Sequence, residues 1–208
     1  METKTRSLRT LLLLAFGLSG MTALMYEVVW TRPLQLIFGS TIYAVSAMLT
    51  TLLFGFALGA YIFRNLADRA ERPAMIFAAL ELGIGLYGFI ILSLFEILPS
   101  IYLGLLEVPG FQFVQFILSF GVLIIPATLF GGTWPMVNAA YSSLEKLGKD
   151  TGMLYSWNSA GAACGSIAAG FILIPVFGIA KTSIIAAFLN VLIALLVFVF
   201  IRRRNENR

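Results

Sequence analysis

Six long apolar runs dominate this chain and leave few folds open to it. Each is long enough to cross the hydrocarbon core of a bilayer as a helix, which takes about 20 residues. The runs are Leu8–Trp30, Gly39–Phe63, Ala74–Phe95, Phe111–Val137, Met153–Phe177 and Thr182–Ile201. Because the connections between them are short, we predict one transmembrane domain, residues 1–208, that is all-α and polytopic with six transmembrane helices.

The composition agrees with a membrane protein and excludes several kinds of chemistry. Only 12% of the residues are charged, against about a quarter in soluble proteins. The chain has no histidine and one cysteine, Cys164, so it has no disulfide within the chain, and we expect no metal site, no cofactor and no catalytic centre. The basic residues are spread between apolar runs, so we expect no nucleic-acid partner.

The distribution of lysine and arginine predicts the orientation, because these residues are retained on the cytoplasmic side. Twelve of the fourteen lie at the two termini and in the connections after the second and fourth runs. The remaining connections hold only Arg32 and Lys181. We therefore predict a multi-pass protein with both termini in the cytoplasm. A cleaved signal peptide is the competing interpretation of the basic start, but the apolar run extends to Trp30, beyond a typical signal core.

The second connection, RNLADRAERP at residues 64–73, is unusually rich in charge. Its arginines fit a solvated cytoplasmic turn, and Arg69 and Arg72 can also reach lipid phosphates. Asp68 is expected to accept N–H groups at the start of the next helix. Glu81, about two turns further on, is expected to pair with one of these arginines, since intramembrane carboxylates are usually paired.

This hairpin resembles the loop between helices two and three of major facilitator superfamily transporters, whose pattern is G-x-L-A-D-R-x-G-R-R. Leu66, Ala67, Asp68, Arg69 and Arg72 match that pattern. Asn65, Glu71 and Pro73 depart from it. The resemblance implies a six-helix half of a facilitator fold, which in full has twelve helices.

Longer stretches resemble the membrane domain of the fused facilitator/spermidine-synthase proteins, and we expect this chain to lie in the inner membrane of a prokaryote. They are Ser19–Ile62, Gly131–Met136 and Gly152–Ile179, and the run YEVVWTR, Tyr26–Arg32, is the most specific. In that family a cytosolic aminopropyltransferase-like domain follows the membrane part. The sequence reaches Arg208 without such a domain, so aminopropyltransferase activity is not expected of this chain.

Small residues at helical spacing are candidates for close helix packing. They are Gly55 and Gly59 in the second run and Gly161, Gly165 and Gly170 in the fifth. They are expected to pack inside one bundle or, alternatively, against a second subunit. In the fourth run, Pro126 and Pro135 around Gly131 and Gly132 predict a bent or broken helix.

Two polar groups near the ends of the runs are candidate substrate-binding residues. The outer group is Tyr26, Glu27, Trp30, Arg32 and Tyr43, and the inner group is Trp134, Asn138, Tyr155 and Asn158. Both are also compatible with the aromatic belts that anchor helices at membrane interfaces. As a binding site, the outer group would offer an acidic entrance to a cation.

Two functions remain open at this stage. The first is a half-transporter-like module, working as a homodimer, that binds or moves a small polyamine-like or amphipathic solute. The second is a non-catalytic membrane anchor, surrounded by membrane lipids, that docks a separate cytosolic aminopropyltransferase-like enzyme or another partner. Only the family resemblance favours a polyamine as the solute.

Overall fold

The computed structural model describes residues 2–39, 41–105, 111–142 and 146–206, and they are almost entirely helical, with no strand in these ranges. The first four helices are α1 (Glu2–Phe38), α2 (Ile42–Arg69), α3 (Pro73–Gly104) and α4 (Phe111–Tyr141). The fifth, α5, consists of a first arm (Leu147–Ile167), a π-helical turn (Ala168–Leu173) and a second arm (Ile174–Glu206).

The prediction of six transmembrane helices is wrong. In the described ranges, five helical segments are long and apolar enough to cross a membrane, and the fifth is the continuous stretch Leu147–Arg203. The runs that were assigned to the fifth and sixth helices both belong to it. Only four residues, 178–181, separate those runs, and they hold neither a proline nor a charged cluster that would end a helix. The all-α class is confirmed, whereas the six-helix, half-facilitator bundle is not.

Gly178 bends α5 within its second arm. Its backbone has φ 80° and ψ 171°, a region that is essentially restricted to glycine because it has no Cβ. The first arm packs mainly against α1, whereas the second arm packs mainly against α3 and also against α1. The bend therefore lets one helical segment cover two faces of the bundle.

Two apolar clusters show which ends of the helices meet. In one cluster, the N-terminal parts of α1, α3 and the first arm pack against the C-terminal parts of α2, α4 and the second arm. This cluster includes Leu12, Ala67, Phe77, Met136, Leu154 and Ile201. The other joins the opposite ends and includes Trp30, Phe38, Ala44, Leu98, Ala169 and Ala186. We call the first the basic end, because Arg9, Arg64, Arg69, Arg72, Lys149, Arg202 and Arg203 lie near it.

Small residues allow two pairs of helices to approach closely. On the first arm, a Cβ at Gly161 would overlap the carbonyl oxygen of Gly17 in α1, and one at Gly165 would overlap that of Met21. Gly170 differs, since a Cβ there would meet nothing within 4 Å.

The same close approach joins α2 to α4. A Cβ at Gly55 would overlap Ala127, and one at Gly59 would overlap the carbonyl oxygen of Thr128. α4 runs unbroken through Pro126 and Pro135, so the broken helix suggested by these prolines is not observed.

The charged hairpin is shorter than the sequence suggested. Because α2 continues to Arg69, Asp68 lies in its last turn and only residues 70–72 connect the two helices. α3 starts with Pro73 at its first turn, where the missing N–H has no helical partner to lose. No side chain caps this start, so Asp68 does not make the capping contact expected of it.

Candidate functional site

A cavity of about 320 Å³ lies among α1, α2, α4 and the first arm of α5. It exists because α1 packs closely on the first arm and α2 packs closely on α4, whereas contacts between these two pairs are few. Its walls are Phe16, Ser19, Gly20, Ala23, Leu24, Phe56, Ala60, Phe130, Gly131, Thr133, Trp134 and Asn158.

Two glycines shape the walls of this cavity. A Cβ at Gly20 would overlap the backbone carbonyl of Asn158, and one at Gly131 would overlap that of Phe56. Larger residues at these positions would push the paired helices apart. Asn158 also ties the first arm to α1, because its Nδ2 donates a hydrogen bond to the carbonyl oxygen of Phe16 at 2.9 Å.

The lining of the cavity is mostly apolar, includes four aromatic side chains and carries no formal charge. The rings of Phe16 and Trp134 lie 5.6 Å apart, and those of Phe56 and Phe130 meet edge to face at 6.4 Å. The polar side chains are Ser19, Thr133 and Asn158. Aromatic walls with a few polar groups suit a small, largely aliphatic ligand, and the ring faces also attract an organic cation.

A second, more polar groove of about 390 Å³ begins beside the cavity. It is lined by Leu24, Glu27, Val28, Thr31, Arg32, Gln35 and Ser166, and Leu24 also lines the cavity. Glu27 and Arg32 bring opposite charges to the same groove.

The outer group of predicted binding residues is divided among three environments. Glu27 and Arg32 line the polar groove. Tyr26 and Trp30 are buried and stack on each other with ring centroids 4.5 Å apart. Tyr43, in contrast, is exposed at the start of α2. These five residues do not form one site.

The inner group lies closer together. Trp134 and Asn158 line the cavity itself. Tyr155 meets the Trp134 ring edge to face at 6.1 Å. Asn138 accepts a hydrogen bond from Thr151 at 3.2 Å, which joins α4 to the first arm. Two of the four predicted residues are thus cavity walls, and the other two lie behind them towards the basic end.

The arginines of the hairpin and Glu81 are not brought together. Asp68, Arg69 and Arg72 are exposed at the basic end. Glu81 is fully buried, and its Oε2 accepts a hydrogen bond from Nδ2 of Asn190 at 2.7 Å. In the described part of the chain, Glu81 thus bonds to an amide on the second arm and forms no ion pair with an arginine.

Two contacts were missed at the sequence level. Asn190 was not singled out, although an amide inside the apolar run FLNVLIALL is an unusual residue that could have drawn attention to it. Arg9 forms an ion pair with Asp150 and lies 4.5 Å from the centre of the Tyr141 ring. No local pattern could have linked Arg9 to Asp150, which are 141 positions apart in the sequence.

Comparison with known proteins identifies one informative relative. The chain is 25% identical over 206 residues to a protein named polyamine aminopropyltransferase 1 from Streptomyces coelicolor. The aligned region is 98% of this chain but only 36% of that protein, so the chain spans about a third of the length of the relative. No family model matches the chain. No solved structure matches it either.

Proposed function

We propose that this protein is a membrane module that binds a small polyamine-like or amphipathic cation in the aromatic cavity and moves it across the membrane, without catalysing a reaction. The observation that carries the proposal is the cavity itself, which has four aromatic side chains in an apolar lining, carries no formal charge on its walls and lies adjacent to Glu27. The apolar helical bundle is compatible with a membrane module. The relationship to a protein named for polyamine chemistry favours this class of solute.

The chemistry of the cavity favours an extended ligand with one charged end. Methylene groups would lie against Phe16, Phe56 and Phe130, where burying apolar area is favourable. An ammonium group would lie over an aromatic face or at Glu27 in the adjoining groove. A compact, strongly charged ion would find too few polar groups to replace its hydration shell.

Isothermal titration calorimetry of spermidine binding to the purified protein in lipid nanodiscs tests this proposal. Trp134→Leu should weaken binding about three- to thirtyfold, the range expected for losing one cation–π contact. Trp157→Leu is the matched control, because Trp157 is exposed and does not line the cavity. Equal affinities for these two variants would contradict a site in the cavity.

Transport is tested separately by uptake of labelled spermidine into proteoliposomes. We expect saturable uptake that Glu27→Gln reduces and that Glu96→Gln, at an exposed carboxylate on α3, leaves unchanged. Binding without uptake would contradict the transport part of the proposal while leaving the binding site in place.

We also propose that the protein forms a homodimer, and native mass spectrometry of the protein released from nanodiscs tests this. One chain per disc would contradict it.

We further propose that the basic end faces the cytoplasm of a prokaryotic inner membrane. The support is the positive-inside rule together with the return of both ends of α5 to the basic end. Arg32 and Lys181 are the basic residues at the opposite end of the described chain.

A second candidate function is a non-catalytic anchor for a cytosolic aminopropyltransferase-like enzyme. It is favoured by a specific observation, namely that the Streptomyces coelicolor protein extends well beyond the region aligned with this chain. The exposed charges Asp68, Arg69 and Arg72 at the basic end are the docking residues in this hypothesis.

Pull-down of a purified aminopropyltransferase with the nanodisc-embedded protein tests the anchor hypothesis. Replacing Arg69 and Arg72 with alanine should abolish co-purification, since a protein interface of this kind would depend on both charges. Lys181→Ala, at the opposite end, is the control. Undiminished capture by the double variant would contradict docking through the hairpin.

A further inference from the structure

Four polar side chains meet in the interior of the bundle, away from any exposed surface. Glu81 of α3, Asn190 of the second arm, and Thr22 and Ser19 of α1 are each 0–1% exposed. Asn190 Nδ2 donates to Glu81 Oε2 at 2.7 Å and to Thr22 Oγ1 at 3.1 Å. Thr22 Oγ1 in turn donates to the carbonyl oxygen of Ser19 at 2.9 Å. The four residues form one hydrogen-bonded cluster that joins three helical elements.

The cluster leaves the carboxyl group of Glu81 only partly satisfied. Asn190 uses both N–H bonds of its amide, one for the carboxyl and one for Thr22. Glu81 Oε1 and Asn190 Oδ1 have no hydrogen-bond partner in the described part of the chain. Within those same ranges the ion pair is Arg9–Asp150, at the basic end, and Glu81 has no lysine or arginine as a partner.

A charge in this environment would be costly. Burying an ionised carboxylate without a cation costs several kcal/mol even after relaxation. A bound proton removes that charge and gives the group an O–H to donate, while Oε2 continues to accept from Asn190.

The cluster is connected to the cavity by a single side chain. Ser19 lines the cavity, and its hydroxyl lies close enough to the carboxyl group of Glu81 to interact with it. Within the described residues, Tyr26 of α1 is a further titratable group that interacts with Glu81, and its buried hydroxyl points to Gly88 of α3. Neither Asn190 nor Thr22 titrates, so Glu81 is the proton acceptor of the cluster.

We propose that Glu81 is a membrane-embedded proton-binding site that exchanges its proton with the cavity through the hydroxyl of Ser19. A hydronium ion in the cavity donates a proton to Ser19 Oγ while the hydroxyl proton of Ser19 passes to the carboxylate of Glu81. Ser19 ends as a neutral hydroxyl, and the hydronium ion becomes water. The site follows from the buried cluster and does not require the solute proposed above.

Infrared spectroscopy of the protein in nanodiscs at neutral pH, with no solute added, tests for the bound proton. We expect the carbonyl band of a protonated carboxylic acid, which Glu81→Gln removes and Glu96→Gln leaves unchanged. Glutamine keeps the size of the side chain, and a melting curve of each variant establishes that it is folded. Absence of the band from the unmodified protein, or its persistence in Glu81→Gln, would overturn the proposal.

The route through Ser19 is tested by the rate at which this band shifts after rapid mixing with D₂O. Ser19→Ala should slow the shift by on the order of 100-fold, the low end of what a positioned proton-transfer group contributes. Ser183→Ala is the matched control, since Ser183 is equally buried but does not line the cavity. An unchanged rate in Ser19→Ala would exclude this route.

Discussion

Single glycines decide how closely the helices of this bundle approach one another. In lipid, apolar side chains gain little by leaving the solvent, so helix association depends on van der Waals contact and interhelical polar contacts. Gly161 lies directly against the backbone of Gly17. At this scale a single methyl group is enough to separate two helices.

We therefore expect Gly161→Ala to lower the free energy of unfolding by about 1–3 kcal/mol through overpacking. Gly121→Ala is the control, because a Cβ there meets nothing within 4 Å and alanine favours the helix by up to about 1 kcal/mol. Unfolding by dodecyl sulfate, followed by circular dichroism, measures both. Equal stabilities of the two variants would contradict the close contact.

The ion pair between Arg9 and Asp150 connects α1 to the first arm of α5 at the basic end. Asp150 is buried, whereas Arg9 is partly exposed. In a double-mutant cycle with Arg9→Gln and Asp150→Asn, we expect a coupling free energy of about 1–2 kcal/mol, between the values for exposed and buried pairs. Additive effects of the two substitutions would show that the pair contributes no stability.

At the scale of the elements, α5 differs from the other helices because it serves two faces of the bundle. Its first arm forms one wall of the cavity through Asn158, and its second arm supplies Asn190 to the buried cluster. Gly178 lies between these two residues. The cavity and the cluster thus depend on one bend.

Gly178→Ala should lower the free energy of unfolding by about 1–3 kcal/mol, because a side chain with a Cβ is strained at this positive φ. Gly170→Ala, on the same segment but with open space around its Cα, should leave it unchanged or slightly higher. Dodecyl sulfate unfolding again provides the measurement. A neutral Gly178→Ala would mean that the bend does not require a left-handed backbone.

At the scale of the whole molecule, the ends of the bundle differ in charge. The basic end holds most of the described arginines, and the opposite end holds Arg32 and Lys181. This asymmetry has a direct consequence for which residues a reagent can reach from each side of a membrane.

In a Cys164→Ser background, we expect Glu71→Cys to react with an impermeant maleimide only from the cytoplasmic side. Lys181→Cys should react only from the outside, because it lies at the opposite end of the bundle. Labelling of right-side-out and inside-out vesicles distinguishes the two. The reverse pattern would invert the proposed orientation.

The sequence anticipated part of the candidate site for identifiable reasons. Trp134 and Asn158 drew attention as polar and aromatic groups at the end of a run, and both are cavity walls. The partner of Glu81 was misjudged, because the nearby arginines are close in sequence whereas Asn190 is 109 positions away. The count of helices failed because hydropathy falls at residues 178–181, where the segment bends at Gly178 and then resumes as a helix.

Hydropathy and run length are local properties, and for this reason the all-α class and the apolar character of the helical segments could be predicted from the amino-acid sequence. Three features became visible only in the folded protein: α5 is one bent segment, paired helices leave a cavity between them, and Glu81 meets Asn190. Those features depend on which helix faces pack together, and packing is set by contacts between residues far apart in the chain.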